Sequence, residues 1–440
     1  MAAESRIGPR MSFDLMIYIV YLVSFFALLD GSTDMFGDNL LTLAFGGSSW
    51  PRSRSSRPRR GPPSTEPAGS LIPPSSVPRA MALVAPTRHA ALEVFRASGS
   101  PRDVGEQLGE RFATEARRAV EIFKVELSWE KGATLDAAKR YGRKVLPRIE
   151  AWFPDFVDEM RGYASASRVP FDILLAQWSG YSPALARKGC TDVAVGPEHT
   201  ADGSVLVAHN EDYTPAYEGI VVPVRVAVDG KPAFFAMSYQ GLFPTIGMND
   251  AGISLTGNAL SHNDTRVGIP KMVPPRRVLE ARTLVEALEA SMPADRGGSF
   301  NNIVCSRDGE LYSMEGSATA FDALYGEDGW LVHTNHYVSG AMARFERDPH
   351  GTFCSIARYN RARRILRPAL GRVTPETIMS IQRDHVGEPD CICRHEDPAT
   401  PEADRVKTLF GSILNLTLRE AYISGSPPCE TEYRACRLEA

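Results

Sequence analysis

Among the 440 residues, Cys190 has the most chemistry to offer, and it stands between a flexible glycine, Gly189, and a small hydroxyl residue, Thr191. If the Gly189–Cys190 bond were to break, one residue would carry both a nucleophile and a base. Its thiol would titrate near ~8.5 and its α-amine near ~7.7–8, so proton exchange between them is nearly balanced at neutral pH. An N-terminal amine acting as base to its own side chain is a recognised way to activate a weak nucleophile. The same thiol could attack the Gly189 carbonyl and drive the cleavage itself, helped by the backbone freedom of glycine. On these residues alone a cysteine opening a core strand is the commoner arrangement, because free cysteine is among the most buried residue types.

Such chemistry passes through tetrahedral oxyanions, and a donor aimed at one is worth roughly 3 kcal/mol. It also needs a polar group to orient the new amine. Candidates lie downstream in His209-Asn210-Glu211-Asp212-Tyr213 and in His333-Thr334-Asn335-His336, where Asn335 offers an amide donor. Asp404-Arg405 offers a fixed positive charge. A papain-like alternative would use a separate histidine, His333 or His336, as base. Cys391-Ile-Cys-Arg-His395 gathers thiols and an imidazole, but Cys-x-Cys is neither of the usual metal spacings, so no metal is expected.

The elements that must position these groups change in kind at Cys190. Before it, Leu108, Phe112, Ala116, Val120 and Phe123 recur at helical spacing, and a second helical tract covers Leu135 to Ala164, with breaks expected at Pro147 and Pro154. Pro170 opens a third, short helix. After Cys190, Thr191 to Val195 and Gly203 to Asn210 read as a hairpin, and Ile220 to Val228 pairs with Ala233 to Tyr239 across Asp229-Gly230. A strand at Gly252 follows, then an amphipathic helix from Pro275 to Ser291 whose apolar face includes Val278, Leu279, Leu284, Val285 and Leu288. Strands at Asn302, Leu311 and Trp330, a helix at Ile356 to Leu366 and terminal strands from Thr408 to Tyr422 complete an α+β pattern.

Composition sets bounds. Apolar residues at 43% and charged residues at 23% suit a globular protein, and a net charge of −4 gives no reason to expect nucleic acid. Seven cysteines do not make a disulfide framework, although a Cys429–Cys436 bridge remains open. Residues 1–80 stand apart. Phe13 to Leu29 is an apolar run behind Arg6 and Arg10, laid out like a signal or membrane anchor, and Trp50 to Arg79 is rich in Arg, Ser and Pro. If translation starts at Met1 this implies a membrane-anchored or secretory protein; if it starts at Met81, a cytoplasmic one.

Taken in order, Gly189-Cys190-Thr191, Asn210-Glu211-Asp212, Gly247-Met-Asn249-Asp-Ala-Gly252 with Asn258-Ala-Leu260, Val332-His-Thr-Asn-His336, Ile392-Cys-Arg-His395 and Arg405-Val-Lys-Thr-Leu-Phe410 make a sequence of motifs. The chain resembles the isopenicillin N (acyl-coenzyme A) acyltransferase family of self-processing N-terminal-nucleophile cysteine hydrolases, which includes the carcinine hydrolase type. The resemblance implies a four-layer αββα sandwich, cut from one precursor into a helical α chain (81–189) and a strand-rich β chain (190–440). It implies Cys190 as nucleophile, Asn335 as oxyanion donor, Asp212 as the acid placing amine and substrate, and Arg405 beside the substrate or processing site. Thr191, Asn210 and Asn258 are expected to contact substrate. Asp192, Asp404 and the Asn-Glu-Asp run depart from the penicillin enzyme and turn the expectation away from a penicillin substrate. The function expected is an amidohydrolase acting through a thioester at Cys190, with an acyl-coenzyme A-dependent N-acyltransferase or an unprocessed binding protein as alternatives. Its partners would be a small amide or acyl thioester and its own two chains, and no cofactor is required.

Overall fold

The computed structural model describes residues 89–181 and 189–438. The expected anchor and linker at 1–80 therefore lie outside the described residues, and among these no helix is long and apolar enough to cross a membrane. The chain begins with two short strands, β1 (Ala90–Ala91) and β2 (Phe95–Gly99), and then five helices: α1 (Pro101–Arg111), α2 (Ala113–Ser128), α3 (Leu135–Trp152), α4 (Pro154–Ser167) and α5 (Phe171–Trp178). Ser100 and Asp103 form a reciprocal cap on α1, with Pro101 in the first turn. The expected opening helix divides at Phe112, which is buried between α1 and α2. Pro154 starts a helix as anticipated, but Pro147 does not end one. Both Pro147 and Arg143, whose carbonyl it leaves unpaired, lie on the exposed side of α3. α1 packs closely on α4, and a Cβ on Gly105 would come within 2.0 Å of the Glu159 carbonyl oxygen.

From Gly189 onward strands dominate. They are β3 (Gly189–Val195), β4 (Leu206–Tyr213), β5 (Val221–Val228), β6 (Phe234–Tyr239), β7 (Phe243–Asn249) and β8 (Ile253–Ala259), followed by helices α6 (Pro274–Val278) and α7 (Leu284–Ser291). Then come β9 (Phe300–Ser306), β10 (Leu311–Gly316), β11 (Phe321–Tyr325) and β12 (Trp330–His333), helices α8 (Phe353–Leu366) and α9 (Pro375–Gln382), and strands β13 (Lys407–Asn415), β14 (Glu420–Ile423) and β15 (Arg434–Arg437). The single helix expected over Pro275–Ser291 is two. The Asn249 side-chain nitrogen donates to the carbonyls of Leu279 and Ala281 at 3.1 and 2.8 Å, drawing that turn out of helical geometry, and Thr283 caps a new start. Val285, expected on the apolar face, is exposed.

The strands form two sheets. The first has the order β1-β15-β14-β13-β4-β3-β12, the second β11-β10-β9-β8-β7-β6-β5-β2. All pairings are antiparallel except β1 with β15 and β2 with β5. Val193, Val195, Leu206 and Ala208 pack outward on Ala362, Leu366, Ile378 and Met379 of α8 and α9. α1 lies on β2 and β5, while α6 and α7 lie on β7 and β9. β3 and β4 meet β8 across the middle. Helix, sheet, sheet, helix is the four-layer αββα sandwich that was expected.

Candidate active site

β3 and β4 pair in the register Gly189–Asp212, Cys190–Glu211, Thr191–Asn210 and Asp192–His209. Residues facing each other in an antiparallel pair share a sheet face, so this register sorts the site into two sets. Cys190, Asp192, His209 and Glu211 face the second sheet. Thr191, Asn210 and Asp212 face α8, α9 and the segment before β13.

On the inner face His209 is fully buried, with Nδ1 at 2.6 Å from Asp192 Oδ1 and Nε2 at 3.2 Å from Glu211 Oε2. Glu211 also accepts from the hydroxyls of Tyr239 at 2.9 Å and Thr245 at 2.5 Å. Burial alone would discharge the imidazole, but Asp192, with Cys190 and Glu211 hydrogen bonding to it, holds its pKa well above the ordinary value. Burial and the Glu211 charge push the Cys190 thiol up, with His209 offsetting only part of the rise. At neutral pH the group is therefore a thiol beside an imidazolium held between two carboxylates. One ligand-type atom from each of Cys190, His209 and Glu211 lies within 4.8 Å of the others. Asp192 and Glu211 already balance the imidazolium, which makes the trio a proton relay better than a cation cage.

The backbone nitrogen of Cys190 donates to Asn335 Oδ1 at 2.8 Å. Arg358, on α8 and buried, donates to the same oxygen at 2.7 Å, to the Cys190 carbonyl at 2.5 Å and to Thr191 Oγ1 at 3.0 Å. Because arginine only donates, it fixes the Asn335 oxygen toward Cys190. One Asn335 amide hydrogen goes to the Ala259 carbonyl at 3.1 Å, and the other meets no acceptor among the described residues.

Asp212 sits directly under the glycine of the candidate cleavage bond. A Cβ on Gly189 would lie 2.6 Å from Asp212 Oδ2 and 3.3 Å from Arg394 Cζ. Asp212 Oδ1 accepts from Thr408 at 2.6 Å, and Oδ2 faces Arg394 Nε at 3.5 Å. Burial raises the Asp212 pKa despite Arg394 and Arg358.

Of the other residues anticipated, Asn210 is a brace: its Nδ2 donates to the carbonyls of Gln382 and Ile392. Asn258 meets Asn301 and His333. Arg405 is not brought to Cys190. It holds the loop before β13 through the Thr400 and Pro398 carbonyls and Glu396. His333 is engaged by Glu315 and His336 by Ser355, so the imidazole beside the cysteine is His209 instead. Cys429 and Cys436 are both free thiols, so the bridge left open between them is not formed.

Cys190 lines a largely apolar pocket whose other walls include Trp178, Tyr213, Tyr239, Phe300 and Lys271. Lys271 Nζ lies 4.7 Å from the centre of the Phe300 ring and meets no carboxylate among the described residues. Burial lowers its pKa to about 8.

A cysteine at the start of an interior strand, a relay beside it and a cavity before it, inside an αββα sandwich, define a cysteine enzyme of acyl-group chemistry. The chain belongs to the acyl-coenzyme A:6-aminopenicillanic acid acyl-transferase family, whose model matches residues 199–425. It is 24% identical over 333 residues to the acyl-coenzyme A:6-aminopenicillanic-acid-acyltransferase 40 kDa form of Emericella nidulans, covering 74% of this chain and 90% of that protein. Solved structures similar to it include a conjugated bile acid hydrolase from Clostridium perfringens (TM-score 0.40, 13% identity, 57% of this chain and 97% of that one). Another is a penicillin V acylase from Agrobacterium tumefaciens (TM-score 0.37, 12% identity, 54% and 83%).

Proposed function

We propose that the chain cuts itself between Gly189 and Cys190 and then works as an N-terminal cysteine amidohydrolase. The observation that carries this reading is the Cys190 nitrogen held at 2.8 Å by the Asn335 oxygen while its thiol borders the cavity beside His209. In the cleavage, Cys190 sulfur adds to the Gly189 carbonyl carbon as its proton passes to the Glu211 carboxylate, with the charged His209 beside both. The C–N bond then breaks, the nitrogen takes up a proton, and water hydrolyses the resulting Gly189 thioester. Departure of Gly189 frees the space between Cys190 and Asp212, so the new ammonium has Asn335 Oδ1 and Asp212 Oδ2 as acceptors.

In turnover the thiol attacks the substrate carbonyl, and the free Asn335 amide hydrogen is a donor for the oxyanion. The α-amine carries the proton to the leaving nitrogen. Water then releases the acyl group. A second reading, transfer of the acyl group from coenzyme A to an amine, is favoured by the name of the Emericella nidulans relative; Cys190 would then displace the coenzyme A thiol from an acyl thioester, and an amine in place of water would take the acyl group from Cys190. Lys271 in the wall, which meets no carboxylate among the described residues, suits a substrate that carries an anionic group into an otherwise apolar cavity.

The test is the intact mass of the purified protein, followed by a panel of amide, β-alanyl-amine and acyl-thioester substrates. Two fragments, the second beginning at Cys190, support the proposal, and Cys190→Ala should remain one chain. A single uncut chain with full amidase activity overturns it.

A further inference from the structure

Four ligand-type side chains converge away from the nucleophile, on the outer side of the first sheet. His385 follows α9, Cys393 and His395 lie in the segment before β13, and Cys429 lies in the loop between β14 and β15. His385 Nε2 is 3.1 Å from His395 Nε2, and Cys429 Sγ is 3.2 Å from that same nitrogen. One donor atom from each of the four residues lies within 4.8 Å of all the others. We propose that these residues hold a structural zinc ion in a four-coordinate Cys₂His₂ site.

The donor set and its spacing argue for this together. Zinc takes sulfur at ~2.3 Å and imidazole nitrogen at ~2.0–2.1 Å, so the edges of its tetrahedron run from about 3.3 to 3.8 Å. The two shortest separations, 3.1 and 3.2 Å, fall just below that range and all the others stay within 4.8 Å, so small side-chain shifts would bring the four atoms onto it. His395 Nε2 carries either one proton or one lone pair, so it cannot make full hydrogen bonds to both His385 Nε2 and Cys429 Sγ, whereas a cation takes a lone pair from all three at once. The other nitrogen of His395, Nδ1, faces Glu430 Oε1 at 3.4 Å. A carboxylate on the far nitrogen is what orients metal-bound imidazoles. The nearby Cys391 is turned away, its thiol donating to the Cys393 carbonyl.

The surroundings bring the ligands together before any ion arrives. Arg383 donates to the carbonyls of Pro428 and Thr431, which ties the Cys429 loop to the end of α9. Cys393 N donates to Asp384 O. With four protein ligands the site has no open position, so its role is to hold segments in place and not to activate water. The residue it holds most directly is Arg394, between two of the ligands and facing Asp212 under Gly189.

The full chain, produced with zinc chloride in the medium and freed of loose metal by gel filtration, should carry about one zinc per chain by elemental mass spectrometry. Cys393→Ser and Cys429→Ser should each lower this at least about tenfold, while Cys391→Ser keeps it. Should the variants fail to fold, wild-type protein loaded with cobalt(II) chloride decides the matter, and the intense visible bands of a tetrahedral thiolate site are expected. Zinc-free wild type with a Cys393–Cys429 disulfide in its mass spectrum overturns the proposal. So does zinc retained when both cysteines are replaced, or a cobalt spectrum of octahedral type.

Discussion

Arg358 and Arg405 give the sharpest contrast between single residues. Arg358 donates three hydrogen bonds around Cys190, each charge-assisted and worth about 1.5–3 kcal/mol. Arg358→Ala should slow appearance of the two fragments at least about tenfold, whereas Arg405→Ala, touching only its own loop, should leave the time course on a denaturing gel unchanged. Lys271→Met should raise KM for an anionic amide by about tenfold or more and leave kcat near wild type, because a remote charge holds the substrate without touching the reacting atoms. With the ammonium titrating at about 8, kcat/KM for that substrate should fall as pH rises past that value, and a neutral substrate should show no such step. Cys190 and Asn335 were legible in the sequence through type and motif. His209 and Asp192 were not, because their partnership exists only once the β3–β4 register is fixed. The hint was the period-two spacing Cys190-x-Asp192 and His209-x-Glu211, which puts each pair on one face of its strand.

At the scale of elements, β3 carries a constraint in its first residue. Gly189 has no room for a side chain, since a Cβ would stand 2.6 Å from Asp212 Oδ2. Gly189→Ala should therefore shift the bond off its acceptors and give a folded, largely uncut chain, which far-ultraviolet circular dichroism and intact mass would report together. Most strands after Cys190 were legible because alternation and the Asp-Gly turns marked them. The division of the Pro275–Ser291 helix was not, since its cause is one buried asparagine, Asn249, acting from 30 residues away in sequence. β7 escaped notice because Pro244 and Gly247 interrupt its pattern. The Cys393–His395–His385–Cys429 cluster escaped for a similar reason: three chain segments supply it, so no spacing within one motif reveals it.

For the molecule as a whole, acid is the informative perturbant. Burial, helped by the charge of Lys271, depresses the His262 pKa to about 4, with Asp264 opposing the shift. The folded ring thus stays neutral while the unfolded one titrates near ~6.5. Stability is fully present above that pH and falls as the pH drops toward 4, by about 3 kcal/mol for this group. Urea midpoints should track that fall, and His262→Gln should lessen it, leaving the share due to His336, whose pKa burial also lowers to about 4; a pH-independent midpoint from 7 to 4 would refute the assignment. The two parallel pairings have a different consequence. β1 and β2, both before Cys190, close an edge of each sheet, and Phe112, Phe156 and Tyr163 share one core with Val224, Phe235 and Phe243. Once cut, the pieces remain interlocked, yet refolding changes from a unimolecular to a bimolecular event. Recovery from denaturant should then depend on protein concentration in the processed enzyme, whereas an uncut Cys190→Ala chain recovers equally well at any dilution.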